Sequence, residues 1–306
     1  MRGNSGQSGN VKVVLDVADP AEAGRFYEEV LGWERAGTNR EEGGGELLRM
    51  PGGELVLLQR PGGAKGDRGE TLGATAAANT GPAPNRPAPG DRVYVLVPDG
   101  ATGVLDAVKR RAEAAGAPVR DETEPFCWRT LTVTTPEGYR LAFWKELEAS
   151  PGDIAAAYAS GPDRLEAALA GLDESALDQA IAPGKWSIRQ QVLHVVDLEL
   201  ASVHKLKYIA GSTEPDRVYT GNRFTQNEWA QAMRYADRPV VVETALFRLL
   251  REHVMLLHRH IPGFMERSVR VGGGRHESAI RLMKSMAGHA NTHIRRILEI
   301  RELFGR

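Results

Sequence analysis

The chain has 306 residues, 42% of them hydrophobic and 26% charged, with a formal net charge of −1. That length allows about two domains, the composition is that of a globular protein, and the balanced charge argues against nucleic acid or an anionic membrane as partner. The single cysteine, Cys127, excludes an intrachain disulfide and suits a reducing, cytoplasmic setting. Residues 1–10 are polar and glycine-rich, so they read as a disordered tail and not a secretion signal. No apolar run approaches the roughly 18 residues of a membrane helix.

From 11 to 147, strands and helices alternate. Residues 11–17 form an apolar, β-branched run, read as a buried strand. Asp19 and Pro20 follow as cap and first turn of a helix whose apolar face is Ala23, Phe26, Tyr27, Val30 and Leu31, and Gly32 stops it. Short strands are expected over 33–38, 46–50 and 55–59. The order then recurs: strand 93–97, helix 102–115, strands 119–122 and 129–134, a Pro-Glu-Gly turn at 136–138, and strand 139–145. The chain thus carries a βαβββ unit twice. Residues 61–92, between the copies, are rich in Gly, Pro and Ala without a period, and read as disorder or as a ligand lid. Trp33, Phe126, Trp128 and Trp144 are this half's candidates to line a small-molecule cleft, with core packing as the competing role.

A linker over 148–152 leads into a helical region, 153–306. Leu165, Leu169 and Leu172 mark a first helix. Ser187 opens a second in a capping box with Gln190, running towards Gly211. A third follows Pro239 and ends before Pro262, and a fourth spans about 277–304. With one long connection over 212–238, this predicts a four-helix bundle. The fold class is therefore multidomain: an α+β half of paired βαβββ units, then an all-α half.

All eight histidines lie after residue 190. His289 and His293 are four apart on the last helix, hence about 40° apart on one face. They share a stripe with Leu282, Met286, Ile297 and Ile300, so they point inward. His194 interrupts the apolar run Val192-Leu-His-Val-Val196 on the second helix. An ion in a bundle core takes ligands from facing helices in this way. Three imidazoles with open positions describe a catalytic rather than a closed structural site. Zinc leads, with nickel or iron also suited to imidazole. Asp197, three residues after His194, either orients a ligand or is a surface charge. His253 and His260 on the third helix read as core or rim.

The stretch Ala182-Pro-Gly-Lys-Trp-Ser-Ile-Arg189, followed by Val192-Leu-His194-Val-Val-Asp197, resembles the DinB/YfiT-like superfamily, as does Gly288-His289-Ala-Asn-Thr-His293-Ile294. The resemblance spans nearly all of 152–306. It implies a divalent metal held by His194, His289 and His293. Many relatives carry a further histidine where this chain has Thr292. Relatives of known activity include thiol S-transferases and a thiol-dependent isomerase, which implies a low-molecular-weight thiol as cofactor. A thiol bound to a cation loses its proton and becomes the nucleophile.

Val13-Val-Leu-Asp-Val-Ala-Asp19, Phe26-Tyr-Glu-Glu-Val-Leu-Gly-Trp33 and Thr135-Pro-Glu-Gly-Tyr-Arg-Leu-Ala-Phe143 resemble the vicinal-oxygen-chelate superfamily of glyoxalases, bleomycin-resistance proteins and extradiol dioxygenases. The resemblance covers about 11–146. Its metal-binding positions fall here on Lys12, Arg92 or Val93, and Ala142, so the expectation is a metal-free domain that binds a small organic molecule. The function expected is a metal-dependent thiol S-transferase or isomerase fused to that domain. The alternative is a non-catalytic protein that sequesters a small molecule, as bleomycin-resistance proteins do. A homodimer is expected from both resemblances.

Overall fold

A computed structural model of the protein describes residues 11–39, 45–61, 85–98, 101, 103–212, 214, 217–221 and 225–306. The expected tail and most of the 61–92 connection lie outside the described residues. The chain divides into two units: Met1–Thr123 with Trp128–Glu146, and Glu124–Cys127 with Leu147–Arg306.

The first unit repeats one topology. Strand β1 (Val11–Asp16), helix α1 (Pro20–Glu29) and strands β2 (Glu34–Asn39), β3 (Gly45–Arg49) and β4 (Leu55–Gln59) make the first copy. Strand β5 (Arg92–Leu96), helix α2 (Val104–Ala114) and strands β6 (Val119–Glu124), β7 (Trp128–Thr134) and β8 (Arg140–Glu146) make the second. The sheets run β1-β4-β3-β2 and β5-β8-β7-β6, with β1 parallel to β4 and β5 parallel to β8. Each helix is the crossover that such a parallel pairing needs. Asp19 caps α1 by accepting from the Ala21 and Glu22 N–H groups. Tyr139, at 0% exposure, joins the two copies. Its hydroxyl donates to the Asp16 carbonyl at 2.9 Å and accepts from the Asp16 N–H at 3.0 Å.

Strand alternation decides which residues this unit buries. Val93, Val95, Leu131, Val133, Leu141 and Phe143 pack in one core with Leu105, Val108 and Ala112 of α2. The residues between them occupy the opposite face. There the register sets Thr130 and Leu96 beside Trp144, and Thr132 and Tyr94 beside Ala142.

The second unit contains α3 (Pro151–Ala159), α4 (Gly161–Leu169), α5 (Glu174–Leu177), α6 (Ile188–Ala210), α7 (Gln226–Ala232) and α8 (Val241–His260). A small hairpin, β9 (Ser268–Arg270) and β10 (His276–Ser278), precedes α9 (Ala279–Leu303). Three long helices lie where the periodicity sets them. The first arm of the bundle differs: it begins inside the expected linker, at Pro151, and is broken into α3 and α4. Ser150 forms a capping box with Asp153, and Pro151 stands in the first turn. The alanines at 155–157 show too little contrast to reveal a helical period.

Glycine at 161 has a packing cause, since a Cβ there would collide with the Arg251 guanidinium. Arg251 (1% exposed) is the largest fully buried side chain among the described residues and pairs with Glu199 (2%) at 3.0 Å. It also donates to the carbonyls of Tyr158 and Met286, each at 2.8 Å, and lies over the Tyr158 and Phe247 rings. The Tyr158 hydroxyl donates to the other oxygen of Glu199. These bonds offset the desolvation that a buried ion pair must otherwise carry.

Candidate metal centre

The site is built on α6 and α9. The start of α6 is fixed by a reciprocal cap, in which Ser187 accepts from the Gln190 N–H and Gln190 accepts from the Ser187 N–H. Buried Arg189 adds a brace, bonding Asp178 and Glu174 at 2.8 Å each. Two turns into α6, His194 is 3% exposed among buried Val192, Leu193, Val195 and Val196. His289 and His293 lie one turn apart on α9, beside buried Ala290 and Ile294. The structure brings all three together.

Their Nε2 atoms converge. His289 Nε2 lies 3.0 Å from His194 Nε2 and 3.1 Å from His293 Nε2. All three potential ligand atoms fall within 4.8 Å of one another. A neutral imidazole nitrogen has one in-plane site, holding either a proton or a lone pair. His289 Nε2 therefore cannot make an ordinary hydrogen bond to both neighbours. One cation accepts all three lone pairs at once. Nitrogens about 2.1 Å from a tetrahedral ion stand roughly 3.4 Å apart, close to the spacing here. The residues fit a divalent metal.

Burial also sets the protonation state. It pulls His194 down to about 4, against a weaker pull upwards from Asp197. It pulls His293 down to about 3, helped by His194 and Arg296. His289 is held well below its ordinary value by burial, then by His293, His194 and Arg251. All three are neutral at physiological pH, the form that ligates a metal.

The sequence reading missed Gln191. Its amide donates to the Trp186 carbonyl at 3.4 Å, which leaves Oε1 to accept from His293 Nδ1 at 2.5 Å. A proton on Nδ1 frees the His293 Nε2 lone pair, so Gln191 sets the tautomer that ligation needs. Its only signal was a polar residue opening an apolar run, one turn before His194. Trp186 was also unassigned. Its ring lies 4.9 Å from that of His194 and stacks on His293 at 6.5 Å.

Asp197 is half-buried and bonds residues of the connection that carries α7. Its Oδ2 accepts from Trp229 Nε1 at 2.9 Å and from the Tyr235 hydroxyl at 2.5 Å. It thereby ties the connection carrying α7 to α6, and burial, then the Asp197 carboxylate, pushes the Tyr235 hydroxyl above its ordinary value.

The four aromatic candidates of the first unit separate. Trp33 (3% exposed) packs in the helix-side core, its ring 5.0 Å from Tyr27, and is too deep to line an open cleft. Phe126 stands in the left-handed region at φ 64°, is 45% exposed, and belongs to the segment grouped with the second unit. Trp128 and Trp144 are half-buried on the sheet face away from the helices, the face that also presents Tyr94 (61% exposed) and Leu96 (56%). A cavity of about 380 Å³ in this unit is lined instead by Leu31, Glu34, Arg49, Met50, Val104 and Arg111 among others. At the positions compared with metal-binding relatives, Lys12 pairs with Glu54, Val93 is core, and Ala142 is buried with no donor atom.

Comparison with known proteins matches a glyoxalase-like domain model to residues 12–144 and a DinB superfamily model to residues 157–297. A Geobacillus thermodenitrificans protein, provisionally named a metal-dependent hydrolase, is 27% identical over 187 residues, which is 60% of this chain and 97% of that protein. YfiT from Bacillus subtilis, described as a probable metal-dependent hydrolase with an unusual four-helix bundle topology, aligns with a TM-score of 0.46 and 19% identity, covering 53% of this chain and 93% of its own. A glyoxylase/bleomycin resistance protein/dioxygenase domain from Frankia sp. EAN1pec aligns with a TM-score of 0.32 and 22% identity, covering 46% of this chain and all of its own. TioX from Micromonospora sp. ML1 gives 0.31 and 24%, covering 45% and 100%. The chain joins a glyoxalase-like domain over residues 12–144 to a DinB superfamily domain over residues 157–297.

Proposed function

We propose that the helical unit is a divalent-metal enzyme whose ion is held by the Nε2 atoms of His194, His289 and His293. Zinc is the first candidate, with nickel and iron as alternatives. The observation that carries this reading is the convergence of three neutral imidazoles on one point. When bound, the metal supplies a cation that lowers the pKa of a thiol or water beside it. The chain's own residues prepare that chemistry. Burial keeps the imidazoles unprotonated, Gln191 fixes the His293 tautomer, and Trp186 shields two of the rings from water. Three protein ligands leave positions open for a reactant.

We read the reaction as transfer of, or isomerisation through, a small thiol. Cys127 is buried, so the thiol comes from a low-molecular-weight cofactor. The glyoxalase-like unit is proposed to bind an organic molecule without metal, on the face that carries Tyr94, Leu96, Trp128 and Trp144. A second reading, hydrolysis by water, is favoured by the name of the Geobacillus relative. One experiment separates the two. Purified protein is loaded with zinc, and loss of free thiol is followed with a panel of electrophiles beside cleavage of esters and amides without thiol. Metal-dependent thiol loss supports transfer. Metal-dependent cleavage without thiol supports hydrolysis, and neither activity leaves a binding protein.

A further inference from the structure

A second cleft in the helical unit has no part in the site described above. It starts at Asp197, one turn along α6 from His194, and continues past Leu200, Ser202, His204 and Lys205. Its volume is about 700 Å³, within the range of small-molecule sites. None of the three converging histidines lines it.

The two ends of the cleft differ chemically. Leu200, Trp229 and Met233 line one part and remain 41%, 41% and 40% exposed, a concentration of wetted apolar surface inside a concavity. The other part is polar. The Tyr219 hydroxyl lies 3.1 Å from His204 Nδ1, and the Lys205 ammonium sits 5.7 Å from the centre of the Tyr219 ring. Tyr219 also walls an adjoining cavity of about 390 Å³ lined by Arg270. The charges can be assigned by end. Asp197 accepts from Trp229 and Tyr235 through Oδ2, which sets its carboxylate at the apolar end, two turns along α6 from Lys205. Among the described residues Lys205 has one loose ion pair, to Glu277 at 3.7 Å, and an ammonium has three donors.

We infer that this cleft is a binding site for an amphipathic organic anion, with its apolar body against Leu200, Trp229 and Met233 and its carboxylate or comparable anionic head at Lys205, His204 and Tyr219. The apolar wall supplies area removed from water, and the cation and hydroxyl orient the head. Each end adds to the affinity, so the site discriminates by head charge as well as by apolar length.

The test uses the full-length zinc-loaded protein and decanoate below its micelle threshold, titrated calorimetrically beside decanol and decylammonium. One saturable decanoate site per chain is expected, with decylammonium at least tenfold weaker. Lys205→Gln weakens decanoate at least tenfold and leaves decanol unchanged. Met233→Gln weakens both decanoate and decanol. Both positions are at least partly exposed, and circular dichroism confirms that the variants fold. The His289→Ala variant retains decanoate binding within twofold whatever its metal content, so a failure of the metal assignment is read separately from a failure of this one. The inference is overturned by absence of saturable binding, by equal affinity for decylammonium, or by indifference to Lys205→Gln. Loss of decanoate together with the metal in His289→Ala would place the anion on the ion and also overturn it. Co-sedimentation with phosphatidylglycerol vesicles would assign the cleft to a lipid surface instead.

Discussion

In the glyoxalase-like unit the layer between sheets and helices is built from aliphatic and aromatic side chains, and the strand face that resembles a metal-binding one presents Lys12, paired with Glu54, and Ala142, which has no donor. In the DinB unit the interior holds a bonded ion pair and three imidazoles whose potential ligand atoms lie within 4.8 Å of one another. The two units bury polarity on different terms. A sheet core gains nothing from a polar atom whose backbone is already paired, whereas long helices bring side chains distant in sequence to face each other across the bundle. The concentration of buried titratable groups in one unit is why the proposed chemistry is placed there.

The sharpest way to break this contrast is to strand a charge. Arg251→Met leaves the Glu199 carboxylate buried with Tyr158 as its remaining partner. The variant is expected to lose about 3–5 kcal/mol of stability in chemical denaturation. Adding Glu199→Leu should recover most of that loss, because the penalty lies in the unpaired charge and not in the lost pair. A double variant no more stable than the single one would show that Arg251 acts mainly through its bonds to Tyr158 and Met286.

Metal content compares the units directly. Purified full-length protein should carry about one divalent ion per chain. His289→Ala should weaken binding at least a hundredfold, and His289→Ala with His293→Ala should abolish it. An ion retained by the double variant would place metal binding outside these helices. Acid should act on the metal-free protein in a defined direction. The folded pKa values of His194 and His293, about 4 and 3, lie below the ordinary imidazole value near 6.5. Between these limits the unfolded chain binds more protons than the native one, so stability should be full above about pH 6.5 and fall as pH drops towards 4. Replacing His194 with Gln should flatten that slope, measured as denaturation midpoint against pH.

Gln191→Leu tests a smaller effect at the same site. It keeps the volume near His293 and removes the acceptor that sets its tautomer. Metal affinity should fall about 10- to 100-fold, with folding stability little changed. Gln191→Glu, which keeps an acceptor, should restore binding. Unchanged affinity in Gln191→Leu would make the residue a packing element only.

What the sequence disclosed follows from the range over which each interaction acts. The spacing of His289 and His293, and the apolar run around His194, are local patterns, and a helical period turns them into one inward face. Gln191 was not legible because its partner, His293, is 102 residues away. The bonds that Asp197 accepts were hidden for the same reason, as Trp229 and Tyr235 reach it from a connection with no visible period. Helix α3 was hidden by its alanines, and the β9–β10 hairpin by strands of three residues each. Trp33 and Trp128 looked alike as aromatic residues, and only strand register and the packing of α1 put one in the core and the other on the open face.

The smallest expected effect sharpens the contrast within the glyoxalase-like unit itself. Tyr94 and Leu96 alternate with Val93 and Val95 along β5, so four neighbouring residues sample both faces of one sheet. Val95 is fully buried, and Val95→Ala should cost about 1–3 kcal/mol by removing two methyl groups from a packed core. Tyr94→Thr removes more atoms and Leu96→Thr replaces an aliphatic chain with a polar one, but these side chains are 61% and 56% exposed, and threonine brings the β-branched shape that strands favour. Each should change stability by no more than about 0.5 kcal/mol. Aromatic surface kept this wet without a folding benefit is what a binding face requires. A loss above about 1 kcal/mol in either threonine variant would show that the face is covered in the native protein. It would also withdraw the proposal that this face receives a small molecule.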